Sequence, residues 1–166
     1  KTALSDAEVE YMDHTSDTIY TSFVVKKSNL KDLNDCEIII WTTTPWTIPA
    51  NKALAYNQNL KYLILQLKDN NDFKNKKIVI AKDLLESVIK DCNIENYKIL
   101  KEIKGKDFYG TICQHPFFSI GYEYDIPMLE ARFVTIEQGT GIVHCAPSHG
   151  PDDFNLCLSN GMQALE

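Results

Sequence analysis

Two short segments hold most of the residues able to do chemistry in this chain. The first runs Trp41-Thr42-Thr43-Thr44-Pro45-Trp46-Thr47-Ile48-Pro49-Ala50-Asn51. A threonine hydroxyl both donates and accepts hydrogen bonds, so an array of them suits a sugar hydroxyl, a carbonyl or a water. Pro45 and Pro49 push the residues before them, Thr44 and Ile48, toward extended backbone, which makes the segment a stiff loop. The same composition also fits a strand followed by a Pro-rich turn whose threonines bond their own backbone. The second segment runs Gly139-Thr140-Gly141-Ile142-Val143-His144-Cys145-Ala146-Pro147-Ser148-His149-Gly150-Pro151-Asp152-Asp153-Phe154. A glycine pair leads into a short apolar strand ending at His144, and two aspartates open a helix. Ligands gather where strands end and helices begin. A tight turn, a satisfied histidine and two dipole-stabilising aspartates would give the same pattern.

Other chemistries fit these residues less well. His144, Cys145, His149 and an aspartate are possible zinc ligands. However, adjacent residues of a strand point to opposite faces, and His149 followed by Gly-Pro-Asp-Asp is not a zinc spacing. No G-x-S-x-G elbow supports Ser148 as a nucleophile. Gly139-Thr140-Gly141 lacks the lysine of a phosphate loop.

The elements that must position these residues read as mostly strands. Residues 20–25 and 60–67 mix β-branched, aromatic and aliphatic side chains with partial alternation. Residues 37–41 form a short apolar run that feeds the threonine cluster. Further strands are expected at 77–81, 97–103, 126–128, 131–135 and 142–145. A helix is expected over 82–91, with Leu84, Leu85, Val88 and Ile89 on one face and Asp83 as its cap. A second runs from 151 to about 160. Pro151 suits its first position, Asp152 and Asp153 its first turn, and Gly161 its end. Residues 7–12 fit either a helical turn or an extended entry. The polar stretch 69–77 reads as an exposed hairpin connection. Many short strands with two helices predict an α+β, β-rich domain with a closed or half-closed barrel.

Composition limits the function. The chain has 166 residues and a net charge of −6, so it lacks the field of a protein that grips many phosphates. Arg132 is its one arginine, which leaves almost no bidentate phosphate recognition. Handling one end of a nucleic acid held elsewhere stays compatible with this. Five cysteines without regular spacing predict reduced thiols and a cytoplasmic setting. No apolar run approaches the roughly 18 residues of a membrane span. The chain starts at Lys1 and reads as a piece of something longer.

Taken together, TTTPWT-x-PAN over 42–51 and GTG-x-VH-x-AP-x-HGPDD over 139–153 resemble the inserted editing domain of bacterial-type isoleucyl-tRNA synthetase. The opening Lys1-Thr2-Ala3-Leu4-Ser5-Asp6-Ala7-Glu8-Val9-Glu10-Tyr11 resembles the entry to that domain, so the resemblance spans essentially the whole chain. The related valyl and leucyl domains carry TTRP followed by an acid. Here Thr44 and Trp46 stand at those two places, which favours the isoleucyl member. The resemblance implies a single editing domain over 1–166, cut from a longer class I synthetase. It also implies that the chain hydrolyses mischarged valyl-tRNA(Ile), with valyl-adenylate as a further candidate substrate. A pocket that accepts isoleucine cannot strongly reject a side chain one methylene smaller, a limit for which isoleucyl-tRNA synthetase is the familiar example.

By the same resemblance Asp153 binds the substrate ammonium. Thr42, Thr43 and Thr44 line the amino-acid pocket and hold carbonyl, ribose or water. His144 limits side-chain size or touches the ribose and is not assigned as a base; a ribose hydroxyl of the tRNA is the alternative helper for the water. Trp46 and Asn51 shape the loop or touch the adenine. His149 and Asp152 support the site from behind, and His14 and His115 are expected at the surface. No cofactor or metal is expected. ATP belongs to the synthetic domain, whose HIGH-like and KMSKS-like motifs do not occur here. The expected partners are the 3′ end of tRNA(Ile) carrying valine and the rest of the synthetase, with no membrane and a monomeric domain. Two rival readings are a binding module for the tRNA end that hydrolyses nothing, and a metal-dependent hydrolase.

Overall fold

The computed structural model describes residues 17–68 and 75–162. The expectations for 7–12, for His14 and for the tip of the 69–77 connection lie outside these residues. Nine strands follow in chain order: β1 (Ile19–Lys27), β2 (Glu37–Thr42), β3 (Ala53–Tyr56), β4 (Lys61–Leu67), β5 (Lys77–Ala81), β6 (Tyr97–Lys104), β7 (Ile112–Gln114), β8 (Asp125–Glu130) and β9 (Ile142–Cys145). Helix α1 (Leu85–Asp91) follows β5, and α2 (Pro151–Ser159) follows β9.

The strands form one mixed sheet in the order β6-β4-β5-β2-β1-β7-β8-β3-β9. The β2–β5 and β3–β8 pairs are parallel and the others antiparallel. β1 serves two partners: Ile19–Val24 pair with β2, and from Val25 on, across an irregularity between Val25 and Lys27, it pairs with β7. That bend curls the sheet, as an extra unpaired residue does in general. β9 consequently comes to lie against β2, and Ala81 N–H donates to Thr140 O at 2.8 Å. The expected barrel is nevertheless not closed. Among the described residues no ladder joins the two ends of the sheet, β6 and β9. What closes the approach is packing together with isolated hydrogen bonds.

This curl brings the two motif segments together. β2 is apolar because it lies in the middle of the sheet, with Ile38 and Ile40 fully buried beside Phe23, Leu54 and Ile80. Its chain direction delivers the threonine cluster to the rim, where β9 delivers His144. Tyr62 ties the floor: its hydroxyl donates to Gly141 O at 2.8 Å and accepts from Asn57 N–H at 3.1 Å. The first contact is buried and the second partly so, and an unmade buried hydrogen bond costs about 1–3 kcal/mol. Tyr62→Phe is therefore expected to lower the urea unfolding free energy by about that amount. An unchanged midpoint would show that the floor is held otherwise.

The sequence expectations fail at specific points. Residues 131–135 form no strand; the backbone turns there, with Ala131 N–H on Tyr56 O. Two strands were not anticipated, β3 and β7. The 82–91 helix begins as a 3₁₀ turn at Lys82–Leu84, and no side chain caps it, so Asp83 is not a cap. Ile48 is not extended, because Pro45–Ala50 forms a 3₁₀ turn that includes it. Helix α2 starts on Pro151, as expected, and Gly161 (φ +74°) ends it, with Met162 N–H returning to Cys157 O.

Candidate functional site

The threonine segment leaves β2 at Thr42 and immediately folds on itself. Thr44 N–H donates to Thr42 Oγ1 at 3.1 Å, and the two hydroxyl oxygens lie 3.3 Å apart. Thr47 then turns its hydroxyl back to donate to Thr44 O at 2.8 Å. The threonines of this segment therefore divide into two sets. Thr42 and Thr47 are buried and bond the loop's own backbone, whereas Thr43 and Thr44 remain exposed at the rim.

His144 on β9 clamps the loop from below. Its Nε2 lies 2.7 Å from Thr47 Oγ1, and its Nδ1 lies 2.7 Å from Asn51 Nδ2. The amide of Asn51 also donates to Ala53 O at 3.0 Å, which fixes which end of the amide carries the nitrogen. A nitrogen that donates to His144 Nδ1 requires a lone pair there, so Nε2 carries the ring hydrogen and donates to Thr47. Both ring nitrogens are thus occupied and the ring is neutral. Burial, aided by neighbouring His115 and His149, pushes its pKa down to about 4.

That shift fixes a pH dependence. The unfolded chain takes up this proton near the ordinary histidine value of about 6.5; the folded chain does so only near 4. Between these values the unfolded state binds more protons, so stability falls as pH drops from about 6.5 toward 4. Asp153 works in the opposite sense. Its raised value means that its contribution is full below the ordinary carboxylate range and is lost as pH rises through its folded value. Urea midpoints measured from pH 7 to 4.5 are expected to fall on acidification, with a flatter profile in His144→Gln. A profile that rises toward acid would contradict this.

Asp153 occupies the third position of α2, after Pro151 and Asp152. Its Oδ2 accepts from Ala146 N–H at 2.8 Å, which bends the 145–150 connection back over the helix start. A helix N-terminus by itself favours the ionised form of a carboxylate. Burial wins instead and raises its pKa, with Ala146 and Cys145 only partly opposing. Cys145 itself faces away from His144, into a small cluster with Ala53, Ala55 and Cys157.

Between these walls lies an open cavity of about 460 Å³, within the range of small-molecule sites. Thr42, Thr43, Thr44, Trp46, His144, His149 and Asp153 all line it. Asn51 does not; at 0% exposure it sits behind His144 and bonds its ring, which places it at the base of the loop and away from the adenine contact that was the other expectation for it. Asp152 is exposed on the helix and outside the lining. His115, expected at the surface, is buried. Residues that the sequence reading passed over complete the walls: Thr47, Phe133, Thr135 and Gln138. Thr47 stands inside the same Pro45–Pro49 motif, which is a signal available in advance; Phe133 and Gln138 carried none. Gly139 (φ +78°) packs its backbone on Trp41, where a Cβ would sit 3.4 Å from the indole. Gly141 (φ +75°) has no room at all, since its Cβ would meet that of Ala81 at 2.4 Å.

No family model matches the chain. It is 74% identical over all its 166 residues to the isoleucine–tRNA ligase of Pelagibacter ubique, and 43% identical to that of Gluconobacter oxydans. The chain is a homologue of one segment of isoleucine–tRNA ligases. It spans 18% of the length of each of these two relatives.

By fold, the chain matches solved editing domains. The P. knowlesi cytosolic leucyl-tRNA synthetase editing domain superposes with a TM-score of 0.66, covering 86% of this chain and 60% of that one, at 17% identity. A P. falciparum counterpart gives 0.59, covering 84% and 55%, at 22% identity. The segment thus has the synthetase editing-domain fold. Among its described residues no three His, Cys, Asp or Glu side chains converge as a metal site would require, and no helix is long and apolar enough to cross a membrane.

Proposed function

We propose that this segment is a single hydrolytic editing domain of an isoleucine–tRNA ligase, acting on valine esterified to tRNA(Ile). Valyl-adenylate is a second possible substrate of the same site. The observation that carries the reading is the cavity shared by the threonine bend and Asp153, with room for a small aminoacyl group joined to adenosine.

The chemistry asked of this site is modest. An aminoacyl ester is already activated, so the site must orient water, polarise the carbonyl and hold the amino group. Asp153 pairs with the substrate ammonium. Folding has already desolvated this carboxylate, so an arriving cation restores what burial removed. Thr43 and Thr44 present hydroxyls at the rim for the ester carbonyl, the ribose or the water. Thr42 and Thr47 hold that rim in place. His144 does not act as a base in this scheme, because both its nitrogens are engaged by Thr47 and Asn51. The ribose hydroxyl beside the ester is left to assist the water. Trp46, 69% exposed beside the cavity, offers an apolar face to the adenosine end.

The domain needs no cofactor for this reaction, and ATP serves the synthetic part of the parent enzyme. Its partners are the charged 3′ end of tRNA(Ile) and the remainder of that cytoplasmic synthetase, within which the domain is monomeric. The test follows ester loss from valyl-tRNA(Ile) and isoleucyl-tRNA(Ile) with the full synthetase that carries this segment. Rapid loss of valine and retention of isoleucine support the proposal. Tight binding of a stable valyl-tRNA analogue without any turnover would instead make the segment a binding module.

A further inference from the structure

His115 plays no part in the scheme above, yet it is 1% exposed and fully bonded. It opens the connection between β7 and β8. Its Nε2 donates to Ile48 O at 3.0 Å, and its Nδ1 accepts from Phe117 N–H at 3.0 Å. The ring stacks on Tyr122 at 4.8 Å and meets Phe23, Phe117 and Tyr124 edge-on or tilted. Tyr124 reaches the same turn: its hydroxyl lies 3.0 Å from Asn51 O and 3.4 Å from Pro49 O. Lys52 places its ammonium 4.1 Å above the Tyr124 ring.

These contacts converge on three carbonyls at the end of one turn. Ile48, Pro49 and Asn51 close the 3₁₀ turn whose opposite side carries Thr43, Thr44 and Trp46 into the cavity. The turn is therefore held between two imidazoles. His144 grips the Thr47 hydroxyl from the cavity side, and His115 grips the carbonyl of the next residue from the far side. Packing alone does not explain this arrangement. A phenylalanine at 115 would satisfy the aromatic cluster but leave Ile48 O with only its bond from Asn51 N–H.

We propose that His115, assisted by Tyr124, is a positioning residue for the editing reaction: it holds the threonine-bearing turn from outside the cavity in the geometry that faces the substrate. This rests on the editing reading above. The hydrogen pattern requires a neutral ring. A proton on Nδ1 would confront the Phe117 N–H, and the brace would open. The titratable and charged groups facing the ring are Tyr122 and Tyr124 on its own connection, Lys52 after the turn and His144 on β9. Burial and Lys52 both hold the ring neutral.

Three variants separate bracing from packing. His115→Phe keeps the ring cluster and deletes both hydrogen bonds. His115→Gln keeps a donor toward Ile48 O and does not titrate. Tyr124→Phe removes the second anchor. In the full synthetase, His115→Phe is expected to lower kcat for valyl-tRNA(Ile) hydrolysis about tenfold with KM little changed, the scale of one lost hydrogen bond. His115→Gln is expected to stay within about twofold of wild type. It is also expected to lose any acid limb whose midpoint matches the His115 Cε1–H titration.

In the 166-residue chain, the methyl resonances of Thr42, Thr43 and Thr44 are expected to shift in His115→Phe and Tyr124→Phe but not in His115→Gln. Wild-type kcat and unshifted methyls in His115→Phe would overturn the proposal. So would a variant that only melts earlier while its folded fraction hydrolyses normally. If the wild-type synthetase hydrolyses no aminoacyl-tRNA, the editing reading fails, and the methyl spectra still decide whether His115 braces the turn.

Discussion

Asp153→Asn is expected to abolish most of the hydrolysis of valyl-tRNA(Ile) by the synthetase while leaving isoleucine activation intact. The substitution is nearly isosteric, and the amide oxygen can still accept from Ala146 N–H, so the 145–150 connection stays in place. What disappears is the charge facing the cavity. Truncating one partner of a desolvated charge pair costs about 2–5 kcal/mol, which is roughly 30- to 5,000-fold in rate or affinity. The loss is expected in kcat/KM, because the ammonium contact is made in both ground and transition states. Single-turnover ester hydrolysis measures it. Activity within a factor of two of wild type would remove Asp153 from the mechanism.

Asn51→Ala carries the second large effect, and it acts without touching substrate. One amide nitrogen satisfies both His144 Nδ1 and Ala53 O, and Asn51 and Ala53 are fully buried while His144 is 8% exposed. Truncation removes the donor from two buried acceptors, at about 1–3 kcal/mol each, so roughly 2–6 kcal/mol of stability is expected to go. For a chain of this size that lowers Tm by roughly 4–24 °C. The local consequence is as important. His144 is then free to exchange its ring hydrogen to Nδ1, after which Nε2 takes the Thr47 hydroxyl hydrogen and Thr44 O loses its donor. The turn that presents Thr43 and Thr44 loosens, and hydrolysis is expected to fall along with the melting temperature. Calorimetry and deacylation on the same preparation test both parts. An unaltered Tm would show that the buried amide contributes nothing.

These two substitutions also show what the sequence revealed and what it hid. Asp153 stood out because Pro151 and a pair of aspartates mark a helix start, and α2 begins on that proline. β5 and β9 were legible end to end, because each is a short apolar run bounded by polar or glycine residues. β3 was not, since Ala53-Leu54-Ala55-Tyr56 has weak strand preference. It is a strand because β8 and β9 flank it, and those partners lie far along the chain. Residues 131–135 erred the other way. Their aromatic and β-branched side chains suggested a strand, but Phe133 and Thr135 serve the cavity wall on a turn.

The same limit explains Asn51 and His115. Local pattern assigned the first to a loop and the second to the surface. Each is buried by contacts with residues dozens of positions away. The open sheet has a similar cause, because strand count and alternation do not say which edges meet. In this molecule the irregularity in β1 curls the sheet far enough to join the two motifs and stops short of a closed ladder.

A crystal structure of the chain with a non-hydrolysable valyl-amide analogue of the aminoacylated terminal adenosine would test the account most directly. The ammonium is expected within hydrogen-bonding distance of an Asp153 carboxylate oxygen, with the acyl carbonyl against the hydroxyl of Thr43 or Thr44. An analogue seated elsewhere, or one whose ammonium faces solvent while Asp153 stays on Ala146 alone, would contradict it.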